Sequence, residues 1–192
     1  MEKYQAEVRL TPSQNLILAN IKPVDKAAIT ALLAEHGIPV ENQANAIRRA
    51  SMACPSMPTC GLGLAESERY MPTLLTRVEE ALGDLGLADE EIIIRMTGCP
   101  NGCARPYMAE IGFVGKGPGR YQLWLGGNQN CTRINKVWRD LVKDPDIITE
   151  LKPLFARWKD ERIAGTEAFG DWVARVLWNE APAPVPAAVG SN

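Results

Sequence analysis

Apolar and polar residues change period several times along the chain, and each change predicts an element. Residues 4–10, Tyr-Gln-Ala-Glu-Val-Arg-Leu, and 16–21, Leu-Ile-Leu-Ala-Asn-Ile, read as two strands, and the turn-formers Thr11-Pro12-Ser13-Gln14-Asn15 between them predict a hairpin. Ile29, Leu32, Leu33 and His36 then fall at i, i+3, i+4 and i+7 before Gly37, which predicts a helix near 24–36. Its last residue, His36, is the only histidine and reads as a capped or surface side chain rather than a metal ligand. After the polar run 42–49, residues 61–86 read as helical. Pro72 opens a second helix there, Leu75, Val78, Leu82 and Leu85 form its apolar face, and Gly86 ends it. Glu66, Glu68, Glu79 and Glu80 form the solvated side, with no carboxylate pair suited to acid–base work.

Residues 91–97, Glu-Ile-Ile-Ile-Arg-Met-Thr, are a β-branched run read as a strand, and 109–114 and 121–125 read as two more joined by a glycine-rich hairpin. That connection, Gly115-Lys116-Gly117-Pro118-Gly119-Arg120, lacks the order of a phosphate loop, and no helix follows it. Gly126-Gly127-Asn128 is a place where backbone has room to approach a large ligand. Helices are predicted over 134–143 and 145–163, with Asp144 as a cap before Pro145 and Pro153 kinking or dividing the second. Phe169, Trp172, Val173, Val176 and Leu177 recur at helical spacing and read as core. The Pro/Ala-rich stretch 181–192 reads as a disordered tail.

Between the first helix and the later strands lie four cysteines in two close pairs. Cys54-Pro-Ser-Met-Pro-Thr-Cys60 is followed by Cys99-Pro-Asn-Gly-Cys103, the second pair at the end of the 91–97 strand. Four soft anionic ligands converging from two loops are what the irons of a [4Fe–4S] cube need to complete their coordination. Structural zinc remains an alternative, although its knuckles usually separate ligands by two to four residues and the first pair here is wider. Disulfides would need an oxidising compartment, and the residues after Met1 form no apolar signal segment. Buried inert thiols would suit one cysteine better than two Pro/Gly-flanked pairs. Pro55, Pro58 and Pro100 stiffen the loops and remove backbone donors; Gly98 and Gly102 let backbone come close to a bulky inorganic group.

Composition narrows the function classes. With 192 residues, 46% of them hydrophobic, the chain can bury one or two small cores, and no stretch is long and apolar enough to cross a membrane. A net charge of −2 gives no general nucleic-acid surface. Five cysteines without a targeting segment fit a reducing cytoplasm.

Taken together, Ser51-Met52-Ala53-Cys54, Pro58-Thr59-Cys60, Leu64-Ala65-Glu66-Ser67-Glu68-Arg69, Arg95-Met96-Thr97-Gly98-Cys99-Pro100-Asn101-Gly102-Cys103 and Gly115-Lys116-Gly117-Pro118-Gly119-Arg120-Tyr121 resemble the sirohaem-dependent nitrite/sulfite reductase family, from about Tyr4 to about Trp172. The resemblance implies an α+β chain in which residues 1–45 are the second portion of a ferredoxin-like nitrite/sulfite reductase domain and 46–180 a mixed α/β domain binding a [4Fe–4S] cluster and sirohaem. It implies Cys54, Cys60, Cys99 and Cys103 as cluster ligands, with Cys103 also bridging to sirohaem. Thr11-x-x-Gln14-Asn15-Leu16-Ile17 matches a loop that reaches the macrocycle, which makes Gln14 and Asn15 cofactor-binding candidates, together with Asn101. Cys131 has no partner at ligand spacing and stands where the family commonly has glycine, so it reads as a free thiol.

The implied activity is six-electron reduction of sulfite to sulfide, as in sulfur assimilation, with electrons from a flavoprotein subunit or ferredoxin. Nitrite reduction, or a non-enzymatic electron-transfer module, are the alternatives. Sirohaem carries eight carboxylates and sulfite is a dianion, so their site needs a dense group of cations. Arg48, Arg49, Arg95, Arg105, Lys116, Arg120 and Arg133 are scattered instead, and no catalytic residue is assignable. Family members have two pseudo-repeated halves and run to well over twice this length. The chain therefore reads as the C-terminal half, inactive without the N-terminal one.

Overall fold

The computed structural model describes residues 4–11, 15–40 and 44–180, and the chain divides into two compact units, 1–44 and 45–192. In the first unit, β1 (Glu7–Leu10) and β2 (Leu16–Ala19) form an antiparallel hairpin in which Val8 opposes Leu18 and Leu10 opposes Leu16. A short 3-10 turn, Pro23–Asp25, leads into α1 (Lys26–Glu35), which ends at His36 with Gly37 in the left-handed region. The expected hairpin and helix are both present, and His36 is exposed.

The second unit is a five-stranded mixed sheet with helices packed on one face. It contains α2 (Ala46–Ala50), β3 (Met52–Ala53), α3 (Met71–Gly83), β4 (Ile94–Thr97), β5 (Ile111–Gly117), β6 (Arg120–Leu125), β7 (Lys136–Lys143), α4 (Ile147–Glu161) and α5 (Phe169–Trp172), the last continued by a π-turn over Val173–Leu177. The sheet order is β3-β4-β5-β6-β7, with β3, β4 and β5 parallel and the remaining pairs antiparallel.

Alternation decides which face is covered. Ile94 and Met96 of β4, Ile111 and Phe113 of β5, and Tyr121, Leu123 and Leu125 of β6 lie in register on one side and are fully buried. Leu74, Leu75, Val78 and Leu82 of α3 close over them, as do Ile147, Leu151, Leu154, Phe155 and Trp158 of α4, each set at i, i+3/i+4 spacing. Phe169 stacks edge-on to both Phe155 and Trp158, so the aromatic stripe of the C-terminal helix is core, as its spacing predicts.

Four expectations fail for physical reasons. Residues 134–143 form strand β7 rather than a helix. Val137, Trp138, Leu141 and Val142 have helix-like spacing, but the open edge of β6 supplies backbone partners, and two register shifts along the β6–β7 pair disrupt the period-two signal. Residues 61–70 are turns: Leu64 N and Ala65 N both donate to Gly98 O and so are not available to the interior of a helix running from residue 61; the helix begins only at Met71, with Pro72 in its first turn as expected. Pro153 sits inside an unbroken α4 on its exposed side, where water can serve the carbonyl the proline leaves free. Asp144 makes no side-chain cap: its Oδ1 accepts from Arg77 Nη1 at 2.6 Å and from the Tyr70 hydroxyl, tying α3 to the turn before α4. The expected tail at 181–192 lies outside the described residues.

Candidate functional site

The two cysteine pairs are carried by neighbouring parallel strands. Met52 pairs with Arg95 and Ala53 with Met96, so β3 and β4 end side by side, and the chain runs directly from β3 into Cys54 and from β4 through Gly98 into Cys99. Loops leaving the same end of parallel strands are where an open sheet gathers ligand-binding residues.

Backbone bonds then lock the loops together. Cys54 N donates to Met96 O at 3.1 Å, Glu68 N returns to Cys54 O at 3.0 Å, and Leu64 N and Ala65 N reach Gly98 O at 2.8 and 3.0 Å. Two buried serines complete the seam: Ser56 Oγ donates to Ala65 O at 2.6 Å, and Ser67 Oγ to Met96 O at 2.9 Å. Tyr121, from β6, donates its hydroxyl to Glu66 O at 2.8 Å. The second loop is pinned by Tyr107, whose hydroxyl donates to Pro100 O at 3.0 Å and whose ring meets Trp124 edge-on. Burial, and next the proximity of Cys99, push the Tyr107 pKa above its ordinary value, so this phenol stays protonated and serves as a peg.

All five cysteines are free thiols. Cys60 and Cys103 are exposed, Cys54 is half-buried and Cys99 is buried. Gly98 N donates to Cys54 Sγ at 3.3 Å, the kind of backbone bond that stabilises a thiolate. The donor chemistry and the anchoring of the loops fit a cluster. Among the described residues, however, no three Cys, His, Asp or Glu side chains are drawn together as a ready-made metal-binding group. The folded backbone thus fixes where the loops stand, but it does not by itself draw the four thiols into one ligand group.

Asn101 is exposed between Pro100 and Gly102, in the second loop. Asn15 belongs to the first unit, where its N–H donates to Thr11 Oγ1 at 3.0 Å and its carbonyl accepts from Thr11 N, while Gln14 lies outside the described residues.

The glycine pair expected to admit a large ligand has another role. A Cβ at Gly127 would stand 2.3 Å from Ala109 O and one at Gly126 2.7 Å from the Trp178 indole nitrogen, so both glycines accommodate the protein's own packing. Arg133 caps this turn, donating from Nε to Gly126 O and from Nη2 to Gly127 O and Asp171. Arg48 is likewise committed, to Glu79 at 2.6 Å, and Lys116 faces Asp140 at 3.6 Å. Arg95, one of the scattered cations, stands apart from the others in ways the sequence does not reveal: it lies on β4 opposite the helix-covered face, is only 6% exposed, and has no carboxylate within ion-pair distance among the described residues.

Comparison with known proteins identifies the chain's relatives. A family model described as the nitrite/sulfite reductase ferredoxin-like half domain matches residues 1–36. The chain is 47% identical over 174 residues to the sulfite reductase [NADPH] hemoprotein beta-component of Staphylococcus epidermidis, covering 91% of this chain and 30% of that protein. It is 53% identical over 174 residues to the same component of Methylobacterium sp. (strain 4-46), covering 91% of this chain and 28% of that protein. Against the sulfite reductase [ferredoxin] of Synechococcus elongatus it is 47% identical over 176 residues, 92% of this chain and 28% of the relative. Among solved structures, the NirA protein of Mycobacterium tuberculosis superposes with a TM-score of 0.68 at 27% identity, covering 91% of this chain and 34% of that one. The chain therefore spans about a third or less of the length of the relatives it matches, and it belongs to the nitrite/sulfite reductase family, corresponding to the C-terminal part of the hemoprotein.

Proposed function

We propose that this chain is the cluster-bearing C-terminal part of a cytoplasmic sulfite reductase hemoprotein, which reduces sulfite to sulfide with electrons from a flavoprotein subunit or ferredoxin. What carries the reading is the pairing of β3 with β4, which sets Cys54 and Cys99 at the ends of adjacent strands, in a chain about half identical to sulfite reductase hemoproteins. Cys54, Cys60, Cys99 and Cys103 would hold a [4Fe–4S] cluster, and Cys103, Asn101, Asn15 and Gln14 would meet sirohaem. When bound, the two cofactors would supply the one-electron redox chemistry that carries electrons from the donor to sulfite.

This chain's own residues do the holding and shielding. The Gly98 N–H directed at Cys54 Sγ offsets negative charge on that sulfur, one of the levers that sets a cluster's potential. Cys99 is buried behind its loop, whereas Cys103 is exposed at the loop's end, the placement a ligand shared with a second cofactor requires. Arg48 and Arg133 are already paired with Glu79 and Asp171 and are poorly placed to serve a substrate anion, so the cations that bind sulfite and relay protons would come from the N-terminal half.

Anaerobic reconstitution of the chain with ferrous iron and sulfide tests the ligand set. The expected product is a labile, broadly absorbing cluster without sulfite reductase activity. Serine at any one of Cys54, Cys60, Cys99 or Cys103 should lower iron retention by at least the about 10–100-fold that loss of an outer-shell partner already costs, while Cys131→Ser retains the parental iron content. Four iron-retaining single variants would overturn the assignment, and sulfide production by the chain supplied with sirohaem and reductant would overturn its dependence on the missing half.

A further inference from the structure

Arg95 and Cys131 form a pair that neither the fold nor the proposed cluster uses. Arg95 is 94% removed from solvent by its 6% exposure, on the face of β4 opposite the helices. Its Nη2 donates to Cys131 Sγ at 3.3 Å and its Nη1 reaches Arg105 O at 3.5 Å, but its Nε is buried with no acceptor among the described residues. A buried guanidinium without a counter-anion is costly, which points to an acceptor yet to arrive.

The position of the unused donor identifies that acceptor's chemistry. Nε and Nη2 lie on one edge of the planar guanidinium and form the fork that takes an oxyanion two-pronged. The same edge binds a carboxylate elsewhere in this chain, at Arg157 with Glu161 and at Arg175 with Glu167. In Arg95 one prong is already on the Cys131 sulfur and the other is empty. An oxygen atom bonded to that sulfur would meet the empty prong. Cys131 is itself half-exposed, in the loop after Asn128, and its thiol points toward Gln129 O at 3.9 Å.

We propose that Cys131 is a site of two-electron oxidation by hydroperoxides, and that the Nε/Nη2 edge of Arg95 holds the resulting sulfenate oxygen. The sulfur attacks the terminal peroxide oxygen, an S–O bond forms as the O–O bond breaks, and sulfur gives up two electrons. The thiol proton leaves with the departing oxygen as water or alcohol, so the thiol and the hydroperoxide become a sulfenic acid and a hydroxyl compound. The guanidinium then stabilises the ionised S–O group and slows its further reaction.

The chain as isolated is exposed to hydrogen peroxide, quenched with catalase, and given dimedone after increasing delays, and the adduct at each cysteine is read by peptide mass spectrometry. A Cys131 adduct is expected whose precursor outlasts any formed at Cys60 or Cys103 after iron chelation by about tenfold, the scale of a hydrogen bond to a charged group. Arg95→Lys, which keeps the charge but loses the fork, should shorten that lifetime by about the same factor. No adduct at Cys131, a lifetime equal to those at Cys60 and Cys103, or an undiminished lifetime in folded R95K overturns the proposal. The comparison within the parent chain decides the matter even where the variant does not fold.

Discussion

Gly98→Ala is expected to undo the seam between the cysteine loops, destabilising the chain by about 3 kcal/mol or more and reducing iron retention at least tenfold with respect to the parent. A Cβ at this position would stand 1.6 Å from Ser56 Oγ and 2.5 Å from both Ser56 Cβ and Ala65 O. Ser56 is only 2% exposed and already spends its hydroxyl on Ala65 O, so it has little room to rotate away. Nor can Gly98 retreat. On the other side, β5 presses on it so closely that a Cβ at Gly115 would lie 2.2 Å from Gly98 O. That same carbonyl accepts both Leu64 N and Ala65 N, so any shift of the Gly98 backbone breaks the bonds that dock the first cysteine loop. A thermal melt and an iron assay measure both effects. Gly117→Ala is the control, since a Cβ there has nothing within 4 Å; it should stay within about 0.5 kcal/mol of the parent. A G98A chain that melts and binds iron as the parent does would show that the two loops are not mechanically coupled.

This coupling also explains how much of the site was legible in the sequence. The spacing of the four cysteines and the strand delivering the second pair are local features, and Glu91–Thr97 was readable as a strand even though only Ile94–Thr97 is hydrogen-bonded as one. The hairpin over Gly115–Arg120 was readable for the same reason: its turn residues and flanking alternation lie within one short window. What depends on distant chain was not readable. Residues 61–70 look helical until their donors are taken by Gly98, more than thirty residues on, and 134–143 looks helical until the edge of β6 claims its backbone. Gly126 and Gly127 carried a true signal of close approach, but the sequence cannot say whether ligand or protein approaches, and here it is Trp178 and Ala109. Arg95 was visible only as one of several scattered cations. Its burial and its edge toward Cys131 arise from a loop thirty-six residues away.

Stability should fall as pH rises from about 4.5 to about 7, by a contribution traceable to one side chain. Glu110 is fully buried at the start of β5, and its two oxygens accept from Ile93 N at 2.9 Å and Gly170 N at 2.8 Å, which ties the approach to β4 to the start of α5. Burial pushes its pKa up to about 7, the two N–H bonds offsetting only part of that, and the nearby charges of Asp171 and Glu91 add to the rise. Because the folded value lies above the unfolded one, the folded chain keeps this proton through a range where the unfolded chain has lost it. The stabilisation is therefore complete below the unfolded pKa, is lost as pH climbs through the window, and is gone above about 7. The size of that window corresponds to about 3 kcal/mol. Other carboxylates titrate too: Glu79 and Glu167, held below their ordinary values against Arg48 and Arg175, lose their contribution on acidification and mask the trend in the parent alone. The difference between parent and Glu110→Gln removes them. The amide keeps the shape but turns one NH2 toward a backbone N–H, at a cost of about 1–3 kcal/mol that does not vary with pH. Denaturation at pH 5, 6, 7 and 8 should show the parent's advantage over E110Q shrinking by about 2.5 kcal/mol across the series, the remainder having been lost below pH 5. An advantage that grows with pH would mean that Glu110 is ionised in the fold and held by its two backbone donors, with the opposite sign of linkage.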